Sequence, residues 1–136
     1  MKNNHPYIIE INSIGSSDLG YISVAEIDGN IPFEINRVYW TYYTPNNVQR
    51  GFHAHKELFQ VIVAVSGVIN FKLITQFGKE THYTLDDPSK GLFIPKMHWR
   101  EISFSHNAVL LCLASEKYDE SDYIRDFDSF LNNGGK

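Results

Sequence analysis

The sequence is short of several things, and each shortage removes a class of protein. It has a single cysteine in 136 residues, Cys112, so no disulfide can close within the chain; its place in the apolar run AVLLCLAS makes it a small buried hydrophobe. No apolar run approaches the ~18–20 residues of a membrane span, and the opening MKNNHPYIIEINS has neither a long apolar core nor a cleavage site. A soluble protein in a reducing compartment, the cytoplasm, is expected, with no membrane partner. There is no basic surplus either: 12 Lys and Arg stand against 16 Asp and Glu, for a net charge of −4. That excludes the basic stripe needed to hold a nucleic-acid backbone, although two or three placed cations suffice for a small diphosphate. Repeats, low-complexity blocks and linkers are also missing, so residues 1–136 are expected to form one domain, the size of a typical single-core fold.

What is present is β-forming. Hydrophobic residues make up 43% and aromatics 14%, mostly Tyr and Phe, which favour strands. Short apolar runs (YIIEI, GYISVAEI, EINRVYWTYY, FQVIVAVSG, VINFKLITQ, ETHYTL, GLFIP, EISF, AVLLCLAS) are separated by breaks such as NSIGSSD, DGNIP, TPNNVQRG, DDPSKG and FSHNA. This spacing predicts an all-β sandwich or closed barrel. LITQFGKETHYTL reads as a hairpin turning at Phe77-Gly78-Lys79. Helical periodicity occurs near the end, where Tyr123, Phe127 and Phe130 fall at i, i+4 and i+7; Ser121 or Asp122 is expected to cap a short helix there, before a frayed NNGGK tail.

Within RGFHAHKELFQVIVAVSG, His53 and His55 share strand parity, so both imidazoles face one side of an extended segment. By themselves they fit either a metal site or proton transfer. The spacing onward to Gln60 and Gly67, with the later PKMHWRE, resembles the two motifs of the cupin superfamily, small jelly-roll barrels of double-stranded β-helix type. In that frame Gln60 stands where a carboxylate ligand is usual and Arg100 where a third imidazole is usual. A guanidinium repels a metal cation, and two nitrogens rarely hold one, so no metal and no cofactor are expected and the pair is read as moving protons. His98 supplies a third imidazole only if the second motif slips by two residues.

The strings RGFHAHKELFQ, WRE (Trp99–Glu101) and LASEKYDESDYIRDFDSF are more specific. They resemble the nucleotide-sugar 3,4-ketoisomerases, the WxcM-like or FdtA/QdtA-type cupins, from about Ile22 to Phe130. The resemblance implies a metal-independent homodimer that converts a dTDP-linked 4-keto-6-deoxyglucose to its 3-keto isomer, on the way to 3-amino-3,6-dideoxy sugars of bacterial surface glycans or antibiotics. It implies His55 as the base for the carbon-bound proton, with His53 orienting it or moving the hydroxyl proton. Arg50, Arg100 and a tyrosine hydroxyl, Tyr39, are candidate donors to the oxyanion. Gln60, Trp99 and Tyr118 complete the expected substrate-binding set, with packing the alternative for Trp99. One departure is Leu19 ahead of Gly20, where the family commonly has Arg-Gly. A 3,5-epimerase, a metal-dependent cupin oxygenase and a non-catalytic sugar-nucleotide binder are the competing readings.

Overall fold

The computed structural model describes residues 4–133, and about half of them lie in antiparallel strands. β1 (Tyr7–Glu10), β9 (Lys90–Ile94), β6 (Gln60–Ser66), β11 (Val109–Ala114) and β4 (Arg37–Thr41) form one sheet in that spatial order. The facing sheet runs β12 (Tyr123–Ile124), β5 (Gln49–His55), β10 (His98–Phe104), β7 (Ile69–Thr75) and β8 (Glu80–Leu85). A hairpin of β2 (Asn12–Ser16) and β3 (Gly20–Val24) stands apart, and one helix, α1 (Phe127–Asn133), follows β12. The result is the expected double-sheet jelly-roll barrel with a short C-terminal helix.

Alternation explains which residues fill it. Along β7, Ile69, Phe71 and Leu73 are buried, with the half-exposed or exposed Asn70 and Lys72 between them, and the inward set meets Leu85, Leu92 and Ile94 between the sheets. Each such side chain contributes about 1.5–3 kcal/mol by leaving water. β6 reads as a continuous apolar run because both its faces are covered: Ile62 and Ala64 face the barrel core, while Val61 and Val63 lie under Ile9, Ile11 and Ile31 of the N-terminal segment.

The two sheets are not closed equally. β8 lies against β9 on one side; on the other, β4 is hydrogen-bonded only to β11, and β5 only to β10 and β12. The barrel is therefore sealed along one seam and splayed along the opposite one.

Three expectations change. NSIGS, read as a break, is strand β2, with Asn12 to Ser16 paired to Val24 to Gly20; the turn is confined to the residues just after it. The helix does not begin at Ser121 or Asp122. Asp119 caps a separate 3₁₀ turn, Glu120–Asp122, Tyr123 and Ile124 then pair with His55 and Ala54, and Asp126 caps α1 through Ser129 N at 2.9 Å. Phe127 and Phe130 still dock as a stripe, on Trp99 at 5.1 and 5.9 Å, but Tyr123 leaves it for the barrel interior. The hairpin at Phe77-Gly78-Lys79 is as expected, closed by Gly78 N to Thr75 O at 2.9 Å. Of the NNGGK tail, Gly134 to Lys136 lie outside the described residues.

Candidate active site

The splayed seam encloses a cavity of about 570 Å³, a volume suited to a small-molecule ligand. β4 contributes Arg37, Tyr39 and Thr41, which share one face at alternate positions; β5 contributes Arg50 through His53; β10 contributes Arg100 and Ile102; Tyr118, Tyr123 and Arg125 come from the C-terminal segment.

A β-bulge brings the β5 residues into one wall. Arg100 pairs with His53 but Glu101 pairs with Gly51, so Phe52 is an extra residue. Strict alternation would put Arg50 on the face opposite His53, three residues away. The bulge restores it to the same face, opposite Ile102. Gly51 permits this: its φ is +93°, and a Cβ there would sit 2.8 Å from Arg100 O. The same bulge supplies Gly51 O, which accepts from His53 Nδ1 at 3.0 Å. A carbonyl only accepts, so His53 carries its hydrogen on Nδ1, and Nε2 is a bare lone pair on a ring that lines the cavity.

His55 lies behind it. It is 1% exposed and does not line the cavity, packing edge-on against His53 at 4.9 Å with the rings at 89°. Its Nδ1 donates to Asp122 Oδ2 at 3.0 Å. Tyr123 packs on both rings, at 5.0 Å from His53 and 4.4 Å from His55. Burial, with Arg100 next in importance, lowers the His53 pKa to about 4. The same two causes in the same order press His55 well below the ordinary histidine range. Both rings are therefore neutral at neutral pH. The order of the pair in the site is the reverse of the expectation: His53, not His55, faces the space a ligand would fill.

Arg100 is buried, at 2% exposed. Its Nη1 donates to Gln60 Oε1 and its Nη2 to His98 O. Gln60 in turn donates from Nε2 to the Tyr39 hydroxyl at 3.0 Å and approaches Cys112 Sγ at 3.3 Å. Burial, then the adjoining Cys112, raises the Tyr39 pKa, so the phenol stays protonated. Gln60 thus acts from beneath the cavity floor, holding Arg100 and Tyr39 rather than touching the open space. Among the described residues no carboxylate pairs with Arg37, Arg50 or Arg100, and the buried Nε atoms of Arg37 and Arg100 have no acceptor. Arg37 also lies over the Tyr39 and Tyr118 rings at 5.5 and 5.7 Å. A buried cation without a counter-ion is costly, and the arrangement suits an anion arriving from outside. Arg125 differs, being held by Glu120 at 2.8 Å while its guanidinium lies 4.3 Å over Tyr123. Glu120 also accepts from the Tyr118 hydroxyl at 2.6 Å.

The structure thus brings together His53, Arg50, Tyr39, Arg100 and Tyr118 around one cavity, with His55 and Gln60 supporting them. Trp99 falls outside. It shares the opposite face of β10 from Arg100 and packs with Ala54, Ile74 and Phe130 under α1, so in this fold it is a packing residue. His98 is also elsewhere, bonded to Lys96 O, and no group of three or more His, Cys, Asp or Glu that could hold a metal occurs among the described residues. Arg37, Asp122, Tyr123 and Arg125 were not among the site residues expected from sequence. Parity with Tyr39 points to Arg37; the other three are legible only once β12 is seen.

The model of the FdtA family, WxcM-like, C-terminal, matches residues 4–134. The chain is 42% identical over 113 residues, 82% of its length and 80% of the other's, to a TDP-4-oxo-6-deoxy-alpha-D-glucose-3,4-oxoisomerase of Aneurinibacillus thermoaerophilus. Among solved structures it resembles QdtA, a sugar 3,4-ketoisomerase from Thermoanaerobacterium thermosaccharolyticum in complex with TDP, at TM-score 0.91 and 37% identity over 99% of this chain and 97% of that one. It also resembles the WlaRB TDP-quinovose 3,4-ketoisomerase of Campylobacter jejuni, at TM-score 0.88 and 40% identity over 98% of this chain and 100% of that one.

Proposed function

This chain belongs to the FdtA family, WxcM-like, C-terminal, and from that premise we propose that it is a TDP-4-keto-6-deoxyglucose 3,4-ketoisomerase working by histidine proton transfer. The observation that carries the reading is a neutral His53 with an unprotonated Nε2 on the wall of a cavity lined by Arg37, Arg50 and Arg100 without carboxylate partners. Those cations suit a nucleoside diphosphate. A neutral imidazole beside them suits a proton made acidic by an adjacent carbonyl.

His53 Nε2 takes the proton from C3; the C–H pair forms the C3=C4 bond, and the C4 carbonyl π pair moves to oxygen, giving an enediolate. Arg100, fixed by Gln60, and the Tyr39 hydroxyl supply the preorganised donors that such an oxyanion requires. The enediolate then collapses in the other sense: the O3–H proton passes to O4, the electron pair left on O3 forms the C3 carbonyl, and the C3=C4 π pair takes the proton back from His53 at C4. Atoms and electrons balance within the sugar, so no redox partner is consumed. Arg50 and Tyr118 line the same cavity and complete the substrate-binding set.

The same reading includes a cytoplasmic homodimer. Among the described residues no helix is long and apolar enough to cross a membrane. Ile14, Tyr21 and Ile22 on the separate hairpin and Val38 and Trp40 on β4 are exposed, apolar surface that pairing with a second copy would cover. Light scattering on the purified chain should give twice the monomer mass.

Incubation with TDP-4-keto-6-deoxyglucose, followed by NMR of the sugar, tests the activity. The expected product has its ketone at C3. A ketone still at C4 with exchange at C3 and C5 would indicate epimerase chemistry, dioxygen uptake would indicate an oxygenase, and unchanged sugar would indicate a binding protein; each rejects the reading.

A further inference from the structure

We propose that Asp122 is a positioning residue for this proton transfer, fixing His55 as its Nδ1–H tautomer and, through that ring, holding His53 against the cavity. The inference rests on the ketoisomerase reading and adds a residue to it.

Asp122 ends the 3₁₀ turn Glu120–Asp122, and its three oxygens are committed to the segment that carries the histidines. Oδ2 accepts from His55 Nδ1 at 3.0 Å and Oδ1 from Glu57 N at 2.7 Å, while its backbone oxygen accepts from Lys56 N at 2.9 Å. Its side chain is 14% exposed and that of His55 2%, so water competes weakly for the contact. An ionised carboxylate only accepts, which puts the His55 hydrogen on Nδ1 and forbids the ring to flip. The next residue, Tyr123, packs on both imidazoles. A single two-residue step of chain thus sets the tautomer of one histidine and the orientation of both, and His53, in edge contact with His55, has little freedom left.

Asp122→Asn separates this role from a structural one. The Asn oxygen can keep the bond from Glu57 N, and that choice turns the amide nitrogen toward His55 Nδ1. An amide nitrogen only donates, so the hydrogen must move to Nε2. Nitrogen-15 NMR of histidine-labelled protein should report His55 as Nδ1–H in the native chain and Nε2–H in the variant. With TDP-4-keto-6-deoxyglucose, kcat should fall about 100-fold, less than the ~10⁴-fold of a wrong tautomer in a base that touches its substrate, while KM and the Kd for TDP stay within about twofold. Asp119→Ala is the control: Asp119 holds the same turn through Ser121 N at 3.0 Å without contacting His55, and should leave kcat within about twofold.

A native His55 found as Nε2–H overturns the proposal, as does an Asp122→Asn variant with kcat within about threefold of native, or an Asp119→Ala variant slowed as much as Asp122→Asn. A native chain that does not isomerise the sugar sinks the parent reading instead, and the tautomer measurement still decides whether Asp122 sets the His55 proton.

Discussion

The two sides of this barrel are made from the same pair of sheets and do opposite things. Toward β7, β8 and β9 the space between the sheets is filled by Ile69, Phe71, Leu73, Leu85 and Leu92, each at most 1% exposed. Toward β4, β5 and β12 it is left open and walled by arginine, tyrosine and histidine. The first side gains stability from apolar burial; the second buries Arg100 at a cost in desolvation. Neither seam is hydrogen-bonded, since β8 pairs with β7 and β9 with β1 and β6, so the side chains decide the difference: apolar ones fill the gap where β8 approaches β9, and arginine, tyrosine and histidine leave room for a ligand between β4 and β5.

Substitutions should separate the two sides. On the open side, His53→Asn is expected to lower turnover by up to about 10⁴-fold, the upper range for losing a general base, with little change in the thermal midpoint; sugar NMR and calorimetry read the two effects. On the closed side, Phe71→Ala should do the reverse, costing about 3–5 kcal/mol of stability in a urea titration while kcat at low temperature stays within about threefold. Converting the open side toward the closed one, by Arg100→Met with Gln60→Leu, should lower kcat about 10²–10³-fold. The same pair should leave stability unchanged or raise it by about 1–4 kcal/mol, since an apolar replacement removes a buried charge together with its partner. A loss of stability in that double variant would contradict the contrast.

The smallest effect is in pH. His53 titrates near 4 in the folded chain against about 6.5 when unfolded. Between those values the unfolded chain binds a proton that the folded one refuses, so stability is full above about 6.5 and falls as the pH drops toward 4. His55 shifts in the same direction. From His53 alone, urea unfolding free energies at pH 7.5 and 5 should differ by about 2 kcal/mol, and His53→Asn should remove that part of the difference.

Short apolar runs and turn residues were enough to read β6, β7, β8, β9 and β11 and the Gly78 hairpin, because those strands are set by local pattern and by a covered face. β2 was hidden because NSIGS is polar, glycine-bearing and exposed along its whole length, so it has no apolar pattern even though its partner β3 is the next strand. Tyr123 was misread for a related reason: its spacing to Phe127 and Phe130 suits a helix, but pairing with β5 gives its backbone partners and its ring a place against the histidines. The site was legible in its residue types, His53, His55, Arg50, Tyr39 and Arg100. It was not legible in its order, because which histidine faces the cavity depends on the bulge at Gly51 and Phe52 and on Asp122, some 67 residues from His55. Trp99 was drawn into the expected site by its neighbour Arg100, yet adjacent strand residues face opposite ways.

The central claim is that His53, with a neutral ring on the open side, carries the carbon-bound proton. The most direct test is to incubate His53→Asn and His55→Asn separately with TDP-4-keto-6-deoxyglucose in D₂O and follow the C3 proton signal. The account predicts that the signal persists with His53→Asn and is still lost, more slowly than with the native protein, with His55→Asn. Loss of the C3 proton with His53→Asn at the native rate would contradict it.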